Sequence, residues 1–219
     1  MRYLIFISLF LLSCSSKPKN KNRYFEGEIH YEISYQLYDE TVRIEDVKKR
    51  SGEKFIYSFK EGKTRKDYYY ENNLIKVRIY DPKENLNSMF YPGWDTIYQY
   101  TPHGKDFNLI EYTNVPDTII DGRMLEGIKV ISKFITKEAP NLIYTWYFDK
   151  SLKINPDWFK ESKEGNWHQL MADKKSLVYF YTIDDKTRYK QTFKTSKIIN
   201  TNITDSKFDL PKLPIRKID

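Results

Sequence analysis

Apolar and polar residues alternate with a period of two along most of this chain, and the alternation restarts about every ten residues after a turn signal. Ile29, Tyr31, Ile33, Tyr35 and Leu37 interleave with Glu28, His30, Glu32, Ser34 and Gln36, which predicts a half-buried strand. Phe55, Tyr57 and Phe59 predict a second, ended by Glu61-Gly62-Lys63. Segments 64–70 and 74–80 flank Glu71-Asn72-Asn73 and predict a hairpin, because asparagine tolerates positive φ. In its second arm Ile75, Val77 and Ile79 face one way and Lys76 and Arg78 the other. Further strands are predicted at 86–91, 95–100, 127–134, 142–148, 176–183 and 189–198, with breaks at Pro92-Gly93 and Thr101-Pro102-His103-Gly104-Lys105. Phe208-Asp209-Leu210-Pro211 closes the series, since proline forbids a further central strand. The pattern as a whole predicts a mainly β, antiparallel fold. Helical signals are few. Asn155-Pro156 offers a cap and a first-turn proline to a short helix. Residues 39–50 carry Glu45 with Lys49 and Asp46 with Arg50 at the stabilising i,i+4 spacing, although Val42, Ile44 and Val47 form no clean apolar stripe.

One apolar run does not alternate. Residues 3–12 follow Arg2 and precede Ser13-Cys14, the layout of a secretory signal. Ten residues rise about 15 Å as a helix, half the roughly 30 Å of a hydrocarbon core, so the run is too short for a span. Leu11-Leu12-Ser13-Cys14 resembles the lipobox of bacterial lipoproteins. That resemblance implies that residues 1–13 are a lipoprotein signal peptide and that Cys14 becomes the first residue and the site of lipidation. More than one acyl chain on that cysteine gives stable anchoring where one would be marginal. Residues 14–23 contain no apolar side chain after the cysteine and are expected to be a flexible tether. Ser15, where aspartate would resemble an inner-membrane retention signal, resembles outer-membrane sorting. The lack of acidic residues in the tether points to the periplasmic face of the cell outer membrane.

Residues 24–219 are expected to form a single domain, since the 206 residues left after cleavage suffice for one core. Thirty-six basic against 30 acidic residues leave +6 beyond Ser13, spread along the chain, which reads as a solvated surface. No nucleic-acid-binding motif is present. A single cysteine excludes an internal disulfide.

His30, His103 and His168 have no partner at a metal-ligand spacing. Asp184-Asp185 lies between two strands, where a turn explains the pair. No phosphate loop and no Gly-x-Ser-x-Gly elbow occurs, so neither catalysis nor a cofactor or metal is expected. Asp95-Thr96-Ile97 and Asp117-Thr118-Ile119 resemble a three-residue O-glycosylation signal, with a strand edge as the simpler reading. Aromatics are abundant, with 19 tyrosines, 13 phenylalanines and four tryptophans. Tyrosine suits a wet concave wall, with an apolar body and a polar tip, but equally suits cross-strand pairing without any ligand.

Several segments in order resemble a group of Gram-negative envelope proteins. They are Phe25-Glu26-Gly27-Glu28-Ile29-His30-Tyr31, Thr118-Ile119-Ile120-Asp121-Gly122, Tyr144-Thr145-Trp146-Tyr147, Asn155-Pro156, and Asp205-Ser206-Lys207-Phe208-Asp209-Leu210-Pro211. The group includes GLPGLI-type and related families, whose namesake hexapeptide is missing here, and more distantly the Lol-like lipoprotein-carrier half-barrels. The resemblance implies a single curved antiparallel sheet, an incomplete barrel with one or two short helices over its open side. In the carriers such a concave face accepts acyl chains. The expected function is therefore that of a lipid-anchored, non-enzymatic periplasmic protein binding a lipid, an acyl chain or another apolar ligand in the curved sheet. The alternative is a protein-interaction or scaffolding module for an envelope partner. The first requires a cavity of several hundred Å³ on the concave face. The second requires an exposed aromatic patch or an open sheet edge.

Overall fold

A computed structural model describes residues 24–104, 107–135 and 140–218. The expected signal peptide, Cys14 and the tether through residue 23 lie outside the described residues. Twelve strands form one sheet: β1 Gly27–Leu37, β2 Lys54–Lys60, β3 Lys63–Tyr70, β4 Asn73–Asp81, β5 Leu86–Phe90, β6 Ile97–Tyr100, β7 Phe107–Ile120, β8 Arg123–Phe134, β9 Asn141–Lys153, β10 Ser176–Asp184, β11 Tyr189–Asn200 and β12 Ile215–Lys217. Their order is β12-β6-β5-β4-β3-β2-β1-β11-β10-β9-β8-β7, so the sheet curves without closing and ends on β12 and β7. The expected mainly β, single curved sheet is the observed one. Its pairs are antiparallel except β12 against β6, which is parallel. Pro211 and Pro214 do not prevent that last strand, because it is a three-residue edge strand and not a central one.

Three local expectations need correction. β7 is 14 residues long, where the sequence pattern predicts no strand between 100 and 127. Its Pro116 sits at a register shift between Val115 and Thr118 on an edge strand, where a missing N–H is tolerated. Helix α1 spans Ile44–Ser51 and not 39–50, because Asp39 Oδ1 accepts the Thr41 N–H at 2.8 Å and holds the chain in a turn. Its ion pairs are Glu45 with Lys48 and Arg43 with Asp46, at i,i+3 instead of the expected spacing, and only Val47 is buried. Helix α2, Trp167–Lys174, was not predicted at all. Trp167, Leu170 and Met171 do have helical spacing, but the element is short and both flanks, Asn166 and Lys175, are non-glycine residues in the left-handed region.

The segment between β9 and β10, residues 154–175, folds back as a strap over the concave face. Asn155 begins it as predicted, its Oδ1 accepting the Asp157 N–H at 3.1 Å ahead of the 3-10 turn Pro156–Phe159. Trp158 seats against the Glu61-Gly62 turn, where a Cβ at Gly62 would lie 2.5 Å from Trp158 Cβ. Phe159, 1% exposed, stacks on Tyr80 at 5.8 Å and on Phe59 at 6.3 Å. Leu170 and Met171 of α2 are fully buried in the same cluster.

That cluster is the main core. Ile29, Tyr31, Ile33, Phe55, Tyr57 and Phe59, the alternating set read from the sequence, all belong to it, as do Trp146, Phe148 and Phe193. A second, smaller cluster lies on the opposite face of β4, where Val77 and Ile79 pack with Ile203 and Phe208 of the C-terminal segment. Arg65 fastens that segment to β3, bonding Asp67 at 2.7 Å and the Lys207 carbonyl at 2.9 Å. Ile75 departs from its predicted face and packs on the main cluster, because the β3–β4 register shifts between Tyr68 and Tyr69 and leaves it as an extra residue.

The Asp184-Asp185 pair is a turn, as expected. Asp185 Oδ1 accepts the backbone N–H of Thr187, Arg188 and Tyr189 at 3.0, 2.7 and 3.1 Å, and Asp184 Oδ1 accepts that of Lys186 at 2.9 Å. Burial raises the pKa of Asp185, but these bonds outweigh it and hold the carboxyl below its usual range. Asp185→Ala should destabilise the protein by about 2–3 kcal/mol at pH 7, measured by urea unfolding, since several buried donors lose a charged acceptor. The loss should shrink in acid, as the wild-type carboxyl takes up its proton and forfeits the same bonds.

Candidate functional site

Between the strap and the concave face of β2, β3, β4, β9, β10 and β11 lies a cavity of about 360 Å³. One wall is an aromatic series running across strands. Tyr68 and Phe55 stack at 5.2 Å, Phe55 and Tyr31 at 4.5 Å, and Tyr181 and Phe193 at 4.0 Å, with Phe55 edge-on to Phe193 at 6.1 Å. Three of these are direct cross-strand partners, Phe55 with Tyr68, Tyr31 with Phe55, and Tyr181 with Phe193. The same rings therefore pair strands and line a cavity, so the two readings of the tyrosine content describe one structure. From the strap and β9, Trp167 and Trp146 meet edge-on at 6.2 Å, and Tyr144 stacks on Trp146 at 4.9 Å. Burial pushes the hydroxyls of Tyr57, Tyr68 and Tyr181 up, and that of Tyr144 up to about 12. The wall is thus uncharged at neutral pH.

The other wall is cationic. On β3 and β4 the apolar residues Val77 and Ile79 face the second cluster, which turns Lys66, Lys76 and Arg78 toward the cavity with Tyr68 and Thr64. Lys66 stands directly opposite Arg78 in the β3–β4 register, and Lys76 opposite Tyr68. Lys76 Nζ lies 4.3 Å from the centre of the Tyr68 ring, and Lys66 Nζ 5.5 Å from that of Tyr57. Arg78 reaches the strap, donating to Glu164 Oε1 at 3.5 Å and to the Tyr100 hydroxyl, which in turn donates to Glu164 at 3.2 Å. Asn87 donates to the same carboxylate at 3.0 Å. Burial, then the neighbouring Arg78, lowers the ammonium pKa of Lys66 and of Lys76 to about 8.

None of these charged residues was a candidate from sequence. Alternation separated Lys76 and Arg78 from Val77 and Ile79, but nothing local says which face of β4 is concave. The three histidines are not brought together. His30 is on β1 beside Glu28 at 3.4 Å, His103 is in the β6–β7 loop, and His168 is on α2. Among the described residues no group of three or more His, Cys, Asp and Glu side chains is placed to hold a metal ion. Asp117-Thr118-Ile119 lies on the edge strand β7. Among the described residues no helix is long and apolar enough to cross a membrane.

No protein-family model matches the chain, and no curated protein sequence matches it. The GLPGLI-type resemblance therefore gains no match of its own. Among solved structures, the Mycobacterium tuberculosis lipoprotein LppX aligns with a TM-score of 0.37 at 8% identity, over 82% of this chain and 89% of that one. A Vibrio parahaemolyticus protein described as an outer membrane lipoprotein-sorting domain aligns with a TM-score of 0.36 at 8% identity, over 84% of this chain and 89% of that one. At these scores neither likeness assigns this chain a fold family or a role.

Proposed function

We propose that this protein binds a lipid, an acyl chain or another apolar ligand in the cavity under the strap, without catalysing its conversion. The observation that carries this reading is the cavity itself, about 360 Å³ between Phe55, Tyr181, Phe193, Trp146 and Trp167. A sheet that filled its own concave face would leave no such space, whereas ligand pockets run from roughly 300 to 1,000 Å³ and are lined mainly by apolar and aromatic groups. The volume is at the small end of that range, which suits one chain and not several. In this reading Cys14 carries the lipid anchor, residues 14–23 are the tether, and the domain 24–219 works at the periplasmic face of the outer membrane.

The purified, delipidated chain is expected to bind dodecanol, a neutral single chain, with one-to-one stoichiometry in calorimetry. Ile183→Trp, which places a larger side chain in the cavity lining, should weaken that binding at least about tenfold. Absence of any saturable binding by neutral or charged chains would overturn the reading. Mass spectrometry of the protein from its own envelope should find acyl chains on Cys14, and an unmodified thiol there would remove the anchor.

A second reading rests on a different face. Among the described residues β7 has no strand on its outer side, and Ile110 and Ile119 on it are 54% and 65% exposed, with Met124 of β8 at 62%. Such an edge suits pairing with a partner strand, as the scaffolding alternative requires.

A further inference from the structure

We infer that the cavity selects an anionic single-chain amphiphile, whose carboxylate or phosphate head lies among Lys66, Lys76 and Arg78 while its chain runs along the aromatic wall. The inference rests on the ligand-binding reading above and adds the chemistry of the head group.

Four lining residues carry charge, Lys66, Lys76, Arg78 and Glu164, three positive against one negative. Glu164 is already engaged by Arg78, Tyr100 and Asn87. Neither the Lys66 nor the Lys76 ammonium has an ion pair or a hydrogen bond with any described residue; each lies over a tyrosine ring, and Lys66 feels Glu164 only at longer range. Lys66 opposite Arg78 is a like-charge cross-strand pair, a destabilising arrangement in a sheet. Both lysines are only part-exposed, so water screens them less than it would on a surface. A fold gains nothing from unpaired cations in such a place, and rows of polar residues on β3 and β4 would serve the sheet as well. An anion supplies what is missing, since charge-assisted bonds to carboxylate or phosphate are about twice as strong as neutral ones. The fork of Arg78 and the two flexible ammonium groups suit either head. An apolar molecule without a head would leave the two lysine ammonium groups without an anionic partner beside it.

The strap contributes the opposing charge. Glu164 occupies one face of Arg78, so an incoming anion competes with it for the guanidinium. Affinity for anions should therefore rise when Glu164 is neutralised and fall when either lysine is.

Calorimetry at pH 7 with dodecanoate, dodecyl phosphate, dodecanol, dodecyltrimethylammonium and inorganic phosphate tests this. Dodecanoate and dodecyl phosphate are expected to bind at least about tenfold tighter than dodecanol, and dodecyltrimethylammonium most weakly. Lys66→Met and Lys76→Met should each remove most of that advantage, bringing dodecanoate affinity to within about threefold of dodecanol affinity in the same variant. Glu164→Gln should raise anion affinity about threefold. Because Lys66 and Lys76, set among Arg78, Glu164 and the hydroxyls of Tyr57, Tyr68, Tyr100 and Tyr144, lose their protons near pH 8, the advantage should hold below pH 8 and decline above it. Equal affinity for dodecanoate, dodecanol and dodecyltrimethylammonium would sink the head-group inference and leave the ligand-binding reading standing. No binding of any chain would sink both. Inorganic phosphate binding as tightly as dodecyl phosphate would leave an anion site without a chain, overturning the amphiphile.

Discussion

Lys66→Met is expected to raise the stability of the ligand-free protein at pH 7 by about 2 kcal/mol, a gain in melting temperature of roughly 4–8 °C for a domain of this size. Most substitutions of part-buried residues destabilise, so the sign is the informative part. The Lys66 pKa falls from 10.5 to about 8 in the fold. Each unit is worth about 1.4 kcal/mol, and the full value is reduced here because the side chain keeps some contact with water. Below pH 8 folded and unfolded chains both carry the proton, and the folded state bears the whole penalty. Between pH 8 and about 10.5 the folded chain gives up the proton first, so wild-type stability rises with pH across that window. Methionine has no proton to lose and still fills the lysine stem's place, so the difference between variant and wild type should narrow by pH 10. Thermal melts at pH 7 and pH 10 read both quantities. A variant that melts lower than wild type at pH 7 would mean that Lys66 supports the fold and is not held there for an anion. Sites at which function is retained against stability behave in this way.

Phe55→Ala is expected to cost about 3–5 kcal/mol, the range for truncating a buried phenylalanine. Phe55 is 2% exposed and is the centre of the aromatic series, in contact with the rings of Tyr31, Tyr68 and Phe193. Its removal deletes the ring contacts that join β1, β2 and β3 on the concave side and leaves a void continuous with the cavity. Urea unfolding should show a lower midpoint at unchanged slope if the fold is retained. Phe55→Leu should recover more than half of the loss, since it restores most of the apolar volume. A loss under about 1 kcal/mol for the alanine variant would show that the wall is loosely packed and that the rings serve the cavity alone.

The alternation in the sequence carried far because it has a simple physical source. Side chains of a strand point to alternate faces, and a half-buried sheet demands that one face be apolar. Ile29, Tyr31, Ile33, Phe55, Tyr57 and Phe59 accordingly occupy the core that their spacing predicts. Turns were legible for the same local reason. Asn155 caps its turn, Asp185 closes its own, and both act through atoms within a few residues. Elements that depend on distant partners were not legible. β7 carries a proline that only its edge position permits, and α2 is held by Leu170 and Met171 against strands far away in sequence.

The cationic wall shows the limit most directly. Sequence by itself determined that Lys76 and Arg78 share one face of β4 and that Val77 and Ile79 share the other, because backbone geometry imposes the period of two. It also determined a mainly β chain of antiparallel strands. Only the tertiary structure decided that Val77 and Ile79 are covered by Ile203 and Phe208, more than 120 residues later, so that the charged face turns inward under the strap beside Glu164. Local pattern specifies which side chains go together, whereas the side of the sheet that they meet depends on long-range packing of two chain segments that the period of two does not encode.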